Sequence, residues 1–553
     1  MRTYQQIHRR RMTLFCLLAL ACISELFCLL IVALAPLPAL HLSSTPLPNV
    51  WSWTLFPSHI LVILYNYSPA ITSNHTGLPS LLLGLTFTGL LAAYAYAIRV
   101  THRSCIRAQQ RYLYLLLAGA LLFGVTILFQ PLLFSDDVFT YMFSGRLMTV
   151  YGTDPLNTAP IQFPHDPYLV WVFSGRNSPN IFGPLWLCIT ALLSWISNDP
   201  AISLLLFKGC ALIAHLINCL LIWVILGKIA PARQVTGALL YAWNPLALIE
   251  LAGGGHNVGL LTMFILLALW LYVQGQKRVL VVGSLLLLGL AISINFVTLL
   301  LAPLFAWFDM RTERNMARAT WGFCWRLLLM FLPVVLILLP FWRGATTFFA
   351  ITSAIDMEHF IHAPISTLTF PIRALFQGFA RWAHFPAFLQ PVSAADITVR
   401  ASAIFIFILI YMHLFAQVRD VPTSWTNPQD SSEGDAYMRI PGFEVLLTGW
   451  ACAIFWYLVL VSGWFWPWYV LWLPAVTVLR RLDAFTITLL LLSGTALFIY
   501  PFVGFSRAPM VMYQAGLIFG LPILYFIVAT VRHQYSERIS HHYDRRSNQA
   551  TSN

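Results

Sequence analysis

Residues 235–274 read VTGALLYAWNPLALIELAGGGHNVGLLTMFILLALWLYVQ. Two apolar runs, 235–252 and 258–274, flank the turn Gly253-Gly254-Gly255-His256-Asn257. A bilayer span needs about 20 predominantly apolar residues, so this stretch reads as a membrane hairpin with a small polar turn at its tip. Glu250 is the one charged residue in either run. An ionisable group there is costly in hydrocarbon and is a functional candidate by default.

The same pattern extends in both directions. Further apolar runs fall near 12–35, 78–98, 112–134, 183–197, 202–226, 279–294, 296–308, 327–341, 399–418, 443–463, 469–479, 484–500 and 511–531. Charged residues are 9% and hydrophobic residues 59% of the 553, against roughly 25% and 45–50% in soluble domains. This excludes a soluble globular enzyme, a disordered chain and a secreted disulfide scaffold. The fold expected is an all-α polytopic integral membrane protein with about 12–14 transmembrane helices. It comprises one membrane domain over 1–531 and a polar tail over 532–553. The run 183–197 is short enough to be a half-helix or re-entrant piece. The first run follows Arg9-Arg10-Arg11, is too long for a signal-peptide core, and meets Pro36 after its small-residue site, so a retained first span is expected.

Net charge is +12, from 32 Lys+Arg against 20 Asp+Glu. The basic residues sit mostly in short loops between apolar runs, which is the positive-inside pattern; no nucleic-acid partner is expected. Placing the N-terminus, 99–111, 227–234, 275–278, 309–326, 419–441, 480–483 and the tail in the cytoplasm puts 24 of the 32 basic residues on that side. Both termini are then cytoplasmic in a multi-pass cell-membrane protein. The stretches 135–182, 253–257, 342–398 and 463–469 face outward, and 419–441 reads as a flexible cytoplasmic linker. The nine cysteines form no Cys-x-x-Cys pair, which argues against a structural metal or a disulfide framework.

The polar residues gather at the outward stretches. Phe134-Ser135-Asp136-Asp137-Val138-Phe139-Thr140-Tyr141 opens the first one. As structure, Ser135 would cap a helix whose first turn favours acids. As chemistry, the pair supplies a general base at the membrane surface. A helix over 136–150 puts Asp137, Tyr141, Ser144 and Met148 on one face, with Asp136 about 100° away and Arg146 opposite. The stretch continues through the turn Gly152-Thr153-Asp154-Pro155 and ends at Gly183-Pro184-Leu185-Trp186, where Pro184 suits the first position of a helix. Such a helix start would present backbone N–H groups to an anion. His256 and Asn257 follow the triple glycine. Gly463-Trp464-Phe465-Trp466-Pro467-Trp468-Tyr469 is either an interfacial aromatic belt or a wall for a ring or a tail.

The segments 135–147, 152–155, 183–186, 244–257 and 466–474, in this order, resemble the GT-C superfamily of polytopic glycosyltransferases. The nearest likeness is to bacterial polyprenyl-phosphate-mannose-dependent α-mannosyltransferases. The resemblance implies transfer of a hexose, mannose first, from a polyprenyl-phosphate donor to a glycolipid or glycan acceptor at the outer face. It places the catalytic acid at Asp137, through the Asp-x-x-x-Tyr spacing to Tyr141, with Asp136 as its neighbour. Substrate-binding residues are then Tyr141, Arg146, Glu250, His256, Asn257, Trp468 and Tyr469. It implies no cofactor; the paired acids are the groups that could hold a divalent metal, which is not expected. Two positions depart from the family pattern: Val258 follows the His-Asn pair where Asp is common, and Asn295 stands where Lys is expected.

The chemistry needs a carboxylate to take the acceptor's proton. It also needs cationic or N–H stabilisation of the departing phosphate, for which His256, Arg146, Arg176, Arg343 and Arg507 are candidates. Inversion at the anomeric carbon is the expected outcome. The alternative reading is a transporter or flippase of lipid-linked saccharides, which would carry polar residues deep in several helices.

Overall fold

A computed structural model describes residues 2–34, 77–104, 109–130, 133–173, 175–180, 182–275, 277–311, 313–347, 363–383, 391–420, 442–502 and 514–532. Most of the described chain is helical, with a long loop between residues 150 and 183. In order it forms α1 (Arg2–Leu34), α2 (Gly77–Ser104), α3 (Gln110–Leu128), α4 (Asp137–Thr149), α5 (Pro184–Ile196), α6 (Pro200–Ile229), α7 (Gln234–Ala242) and α8 (Pro245–Leu248). There follow α9 (Val258–Gln274), α10 (Arg278–Ile294), α11 (Ala302–Met310), α12 (Met316–Leu338), α13 (Pro364–Trp382), α14 (Pro391–Arg419), α15 (Phe443–Trp456) and α16 (Ala484–Thr495). The last is α17 (Gln514–Arg532). Among the described residues, nine helices are long and apolar enough to cross a bilayer, or ten if the bent pair Pro231–Ala242 and Pro245–Gly253 is one span. Four shorter apolar helical stretches, 184–196, 258–274, 278–294 and 296–310, pack among them. The chain is an all-α polytopic membrane protein.

Burial divides these helices. α12, α14 and α17 present most of their apolar side chains outward, with Leu328, Phe405 and Leu524 well exposed. In hydrocarbon such faces need no protein partner. α6, α15 and α16 bury half or more of their residues against the rest of the protein. α9 packs tightly against α10 and α6, and α3 packs against α6 and the segment after α8.

Two features add to the plain reading of the apolar runs. The run 469–479 is no continuous helix: Pro467 and Pro474 each start a short turn, Pro467–Trp472 and Pro474–Thr477, because proline supplies no N–H to a preceding turn. Residues 342–398 carry the 19-residue α13 and the start of α14. The linker 419–441 lies outside the described residues from 421, as do Arg507 and the tail from 533.

α6 carries a polar stripe that its apolar surroundings conceal. Lys208, His215 and Asn218 are all fully buried. Each is tied to backbone: Lys208 Nζ donates to the Gln130 carbonyl, His215 Nε2 lies 3.1 Å from the Ala242 oxygen, and Asn218 Nδ2 donates to the Gly259 oxygen at 2.9 Å. They fasten α3, α7 and α9 to α6 where lipid-like surroundings make an unpaired polar group costly.

Candidate active site

The site is built where α4 meets the turn between α8 and α9. Ser135 does not hold the cap position. Asp136 does, without a side-chain cap bond, and its carbonyl accepts the Phe139 N–H at 2.9 Å. Ser135 Oγ instead accepts the Asp137 N–H at 3.3 Å. Asp136 Oδ2 accepts the Phe173 N–H at 3.2 Å, so the first acid ties the start of α4 to the far arm of its own loop. Asp137, one residue on, points elsewhere and keeps 19% of its side chain exposed.

Upstream of the turn, Asn244 caps the short α8 by accepting the Leu246 and Ala247 N–H groups. Pro245 restricts the residue before it, and the chain bends by 46° there. The next turn, Ile249–Gly253, is a π-turn closed by Gly254 N–H to the Ile249 oxygen at 3.0 Å. Such widened turns recur at functional sites. Here it carries Glu250 inward, 2% exposed. The glycines are needed for space. A Cβ on Gly254 would stand 2.6 Å from the His256 ring and 2.8 Å from the Glu250 oxygen. Gly255 has φ +68°, and a Cβ there would press on Lys208 and Val138 at 3.2 Å.

The result is a buried acid–imidazole–acid chain. His256 Nδ1 lies 3.7 Å from Asp137 Oδ2 and 3.4 Å from the Tyr141 hydroxyl. His256 Nε2 lies 3.3 Å from Glu250 Oε2, an ion-pair distance at an angle short of a hydrogen bond. Glu250 Oε1 accepts the Tyr500 hydroxyl at 2.5 Å. His256 is fully buried and stacks on Trp468 at 4.2 Å, which in turn stacks on Trp466 at 5.2 Å. Trp468 is thus 8% exposed and belongs to the imidazole's packing. Tyr469 stacks on Trp472 at 5.0 Å.

Burial pushes the Asp137 carboxyl up to about 6; nearby His256 lowers it, and the charges of Asp136 and Glu250 raise it. At pH 7 the group is therefore mostly ionised yet poorly solvated, which is how a general base is poised. Burial, with the Asp137 charge beside them, holds the hydroxyls of Tyr141 and Tyr469 protonated well beyond the usual phenol range.

Other expected site residues sit further off or serve the frame. Arg146 pairs with Asp166 at 2.8 Å and lies over the Tyr168 ring. Asp166 also accepts the Tyr151 hydroxyl, so this cluster organises the loop. Arg176 and Arg343 are exposed. Gly183 starts α5, but its N–H donates to the Ile294 oxygen, and a Cβ on it would meet the Ser293 oxygen at 2.2 Å. That close approach seats Trp186, whose ring meets Tyr141 edge-on at 5.1 Å. Asn295 caps the turn 296–301 by accepting the Val297 N–H. The Nδ2 of Asn257 is buried and has no hydrogen-bond partner among the described residues. Among those residues no three His, Cys, Asp or Glu side chains are placed to hold a metal ion together. Tyr500 and Lys208, both at the site's edge, are not evident from the sequence; the sole signal is a polar side chain inside an apolar run.

Fold and site together define a polytopic all-α membrane protein with a buried acid–imidazole couple at one end of its helices. Residues 60–311 match the family described as Alpha-(1->6)-mannopyranosyltransferase, N-terminal domain. The chain is 28% identical over 150 residues to Alpha-(1->6)-mannopyranosyltransferase B of Corynebacterium glutamicum, covering 27% of this chain and 25% of that protein. It is 26% identical over 189 residues to Alpha-(1->6)-mannopyranosyltransferase A of Mycobacterium tuberculosis, covering 33% of this chain and 34% of that one. The matches thus span a quarter to a third of these relatives' length. No solved structure matches. The chain resembles the GT-C mannosyltransferases, and Asp137, Tyr141, Glu250 and His256 all fall within the matched residues.

Proposed function

We propose that this protein is a membrane glycosyltransferase that moves a hexose, mannose first, from a polyprenyl-phosphate donor to a glycolipid or glycan acceptor, with Asp137 as general base. The carrying observation is the position of Asp137: partly open to solvent, raised toward neutral pH, and 3.7 Å from a fully buried imidazole. The acceptor hydroxyl oxygen bonds to the anomeric carbon as its proton passes to Asp137. The bond from that carbon to the phosphate oxygen breaks, and the electron pair leaves with the polyprenyl phosphate. A single displacement of this kind inverts the anomeric centre. His256 lies between two carboxylates beside the base, and the Asn257 amide is a donor for an anionic or hydroxyl group.

The distribution of Lys and Arg supports an outward-facing site, cytoplasmic termini and one membrane domain. A transport reading would need a polar path through the helices. The polar residues of α6 that could line one are instead fully buried and bonded to backbone carbonyls. Radiolabelled transfer from polyprenyl-phosphate-mannose, measured in membranes of an expressing strain, tests the reading. Wild-type protein should label a lipid or glycan acceptor and Asp137→Asn should not. Equal labelling by both removes Asp137 from the role, and no labelling by wild type removes the donor.

A further inference from the structure

Tyr500 lies far outside the residues that match the mannosyltransferase family, at the end of the span Ala484–Pro501. It is 1% exposed. Its two ends meet the two halves of the site. The hydroxyl donates to Glu250 Oε1 at 2.5 Å, and the ring stacks on Phe134 at 4.4 Å and 17°. Phe134 immediately precedes Ser135-Asp136-Asp137, and its ring also meets Phe87 edge-on. One side chain therefore touches both the carboxylate behind His256 and the residue that leads into the acid pair.

We propose that Tyr500 is a positioning residue: by fixing Glu250 against His256 Nε2 it keeps the imidazole's Nδ1 turned to Asp137. Glu250 is then a partner of the imidazole rather than of the substrate, and the assignment rests on the proposed transfer only for its effect on rate. The physical reason is the burial of the group. A carboxylate 2% exposed needs donors for both oxygens. Tyr500 serves Oε1, which leaves Oε2 facing His256 Nε2 at an ion-pair distance of 3.3 Å. Which imidazole nitrogen carries the proton is set by the partner of the other. Without the Tyr500 hydroxyl, Oε1 is buried with its donor gone, Glu250 must turn to find another, and its hold on Nε2 is lost.

The titratable groups facing the imidazole are Asp137 and Tyr141 from α4 and Glu250 from the π-turn. Asp136 and Tyr469 stand beside Asp137, and the Lys208 stem backs Gly255.

Two readouts on the full-length protein test the assignment. Tyr500→Phe keeps the stack on Phe134 and removes only the hydroxyl. In histidine-labelled protein, ring-nitrogen NMR shifts of His256, assigned by their loss in His256→Gln, should show Nε2-protonated imidazole facing Glu250 in wild type. That pattern should be lost in Tyr500→Phe and in Glu250→Gln. With polyprenyl-phosphate-mannose as donor, kcat of Tyr500→Phe should fall about tenfold with KM within about twofold, and the acid limb of the pH profile should move upward. In a Glu250→Gln background the same change should add little, since both act through one contact. An unchanged imidazole pattern in Tyr500→Phe overturns the proposal whatever the activity. Full additivity with Glu250→Gln overturns it too. If Tyr500→Phe loses the pattern while wild type transfers no mannose, the Tyr500 assignment stands and the donor is removed instead.

Discussion

Asp137 and His256 are 119 residues apart in sequence, yet Oδ2 of the one lies 3.7 Å from Nδ1 of the other. The acid caps nothing and the imidazole is wholly buried, so neither is spent on the local structure of its own element. Asp136, by contrast, is spent on the Phe173 N–H. This division separates the effects of the two acids. Asp137→Asn keeps the shape but cannot take a proton, and should lower transfer by about 10²–10⁴-fold. Asp136→Asn retains an oxygen that can accept from Phe173 and should cost less than tenfold. Steady-state rates of the two variants decide it; the reverse order would move the base to Asp136.

The pH dependence follows from the same contact. With Asp137 as the proposed base, transfer needs its ionised form, so the rate should rise with pH through a limb near 6. His256 lowers the Asp137 carboxyl. His256→Gln removes that influence and should push the limb upward, leaving a larger deficit at pH 6 than at pH 8. Rate profiles of the two proteins from pH 5 to 9 check this, and a limb that stays in place would detach His256 from the base.

A raised carboxyl is also a stability statement. Folded, Asp137 holds its proton to about 6; its ordinary value is 3.8. Below the ordinary value both states are protonated and nothing is lost. Between 3.8 and about 6 the unfolded chain gives up its proton while the folded one keeps it, so the destabilisation builds across that window and is complete above it, at most about 3 kcal/mol. Asp137→Asn should therefore melt higher than wild type in detergent at pH 7.5, and the gain should shrink toward pH 4. A variant that melts lower at both pH values would mean that the ionised carboxylate is well solvated or paired.

The triple glycine makes a sharper steric claim. Gly254→Ala places a methyl 2.6 Å from the His256 ring and 2.8 Å from backbone, and Gly255→Ala adds strain at φ +68°. Both should abolish transfer and lower the melting temperature. Gly209→Ala, on α6 with nothing within 4 Å of the added methyl, should be neutral or slightly stabilising. Equal behaviour of all three would remove the packing argument.

Much of this site was legible beforehand because it rests on local rules. The i, i+4 spacing puts Asp137 and Tyr141 on one face of α4, and both reach His256. Arg146 falls on the other side, where it meets Asp166. Glu250 and His256 are visible as polar residues in an apolar hairpin. What stays hidden depends on partners far along the chain. Tyr500 reads as one more aromatic near a span end until Glu250, 250 residues earlier, is seen to accept its hydroxyl. The 469–479 run looks like a span by apolarity alone, although Pro474 breaks it. Trp468 suits an interfacial belt by composition, whereas it packs on the imidazole.

Lys208 is the second such residue, and it carries the last prediction. Its ammonium is buried in α6 and donates to the carbonyl of Gln130, two residues beyond α3, where the chain turns toward the acid pair. Its stem lies under Gly255. The side chain thus joins the segment leading to Asp137 with the turn bearing His256. An amine in this position is expensive to bury, and Lys208→Met keeps the length and apolar stem; relief of that cost offsets the loss of one donor to the Gln130 carbonyl, so the protein should still fold. The melting temperature should match or exceed that of wild type. The rate should nonetheless fall about tenfold, because the segment before α4 loses its anchor and a small misplacement of a base is costly. Lys208→Glu, which puts a carboxylate against the carbonyl, should fail to accumulate in membranes. If Lys208→Met transfers at the wild-type rate, the lysine does not position the base and the link between α3 and the His256 turn is carried by packing alone.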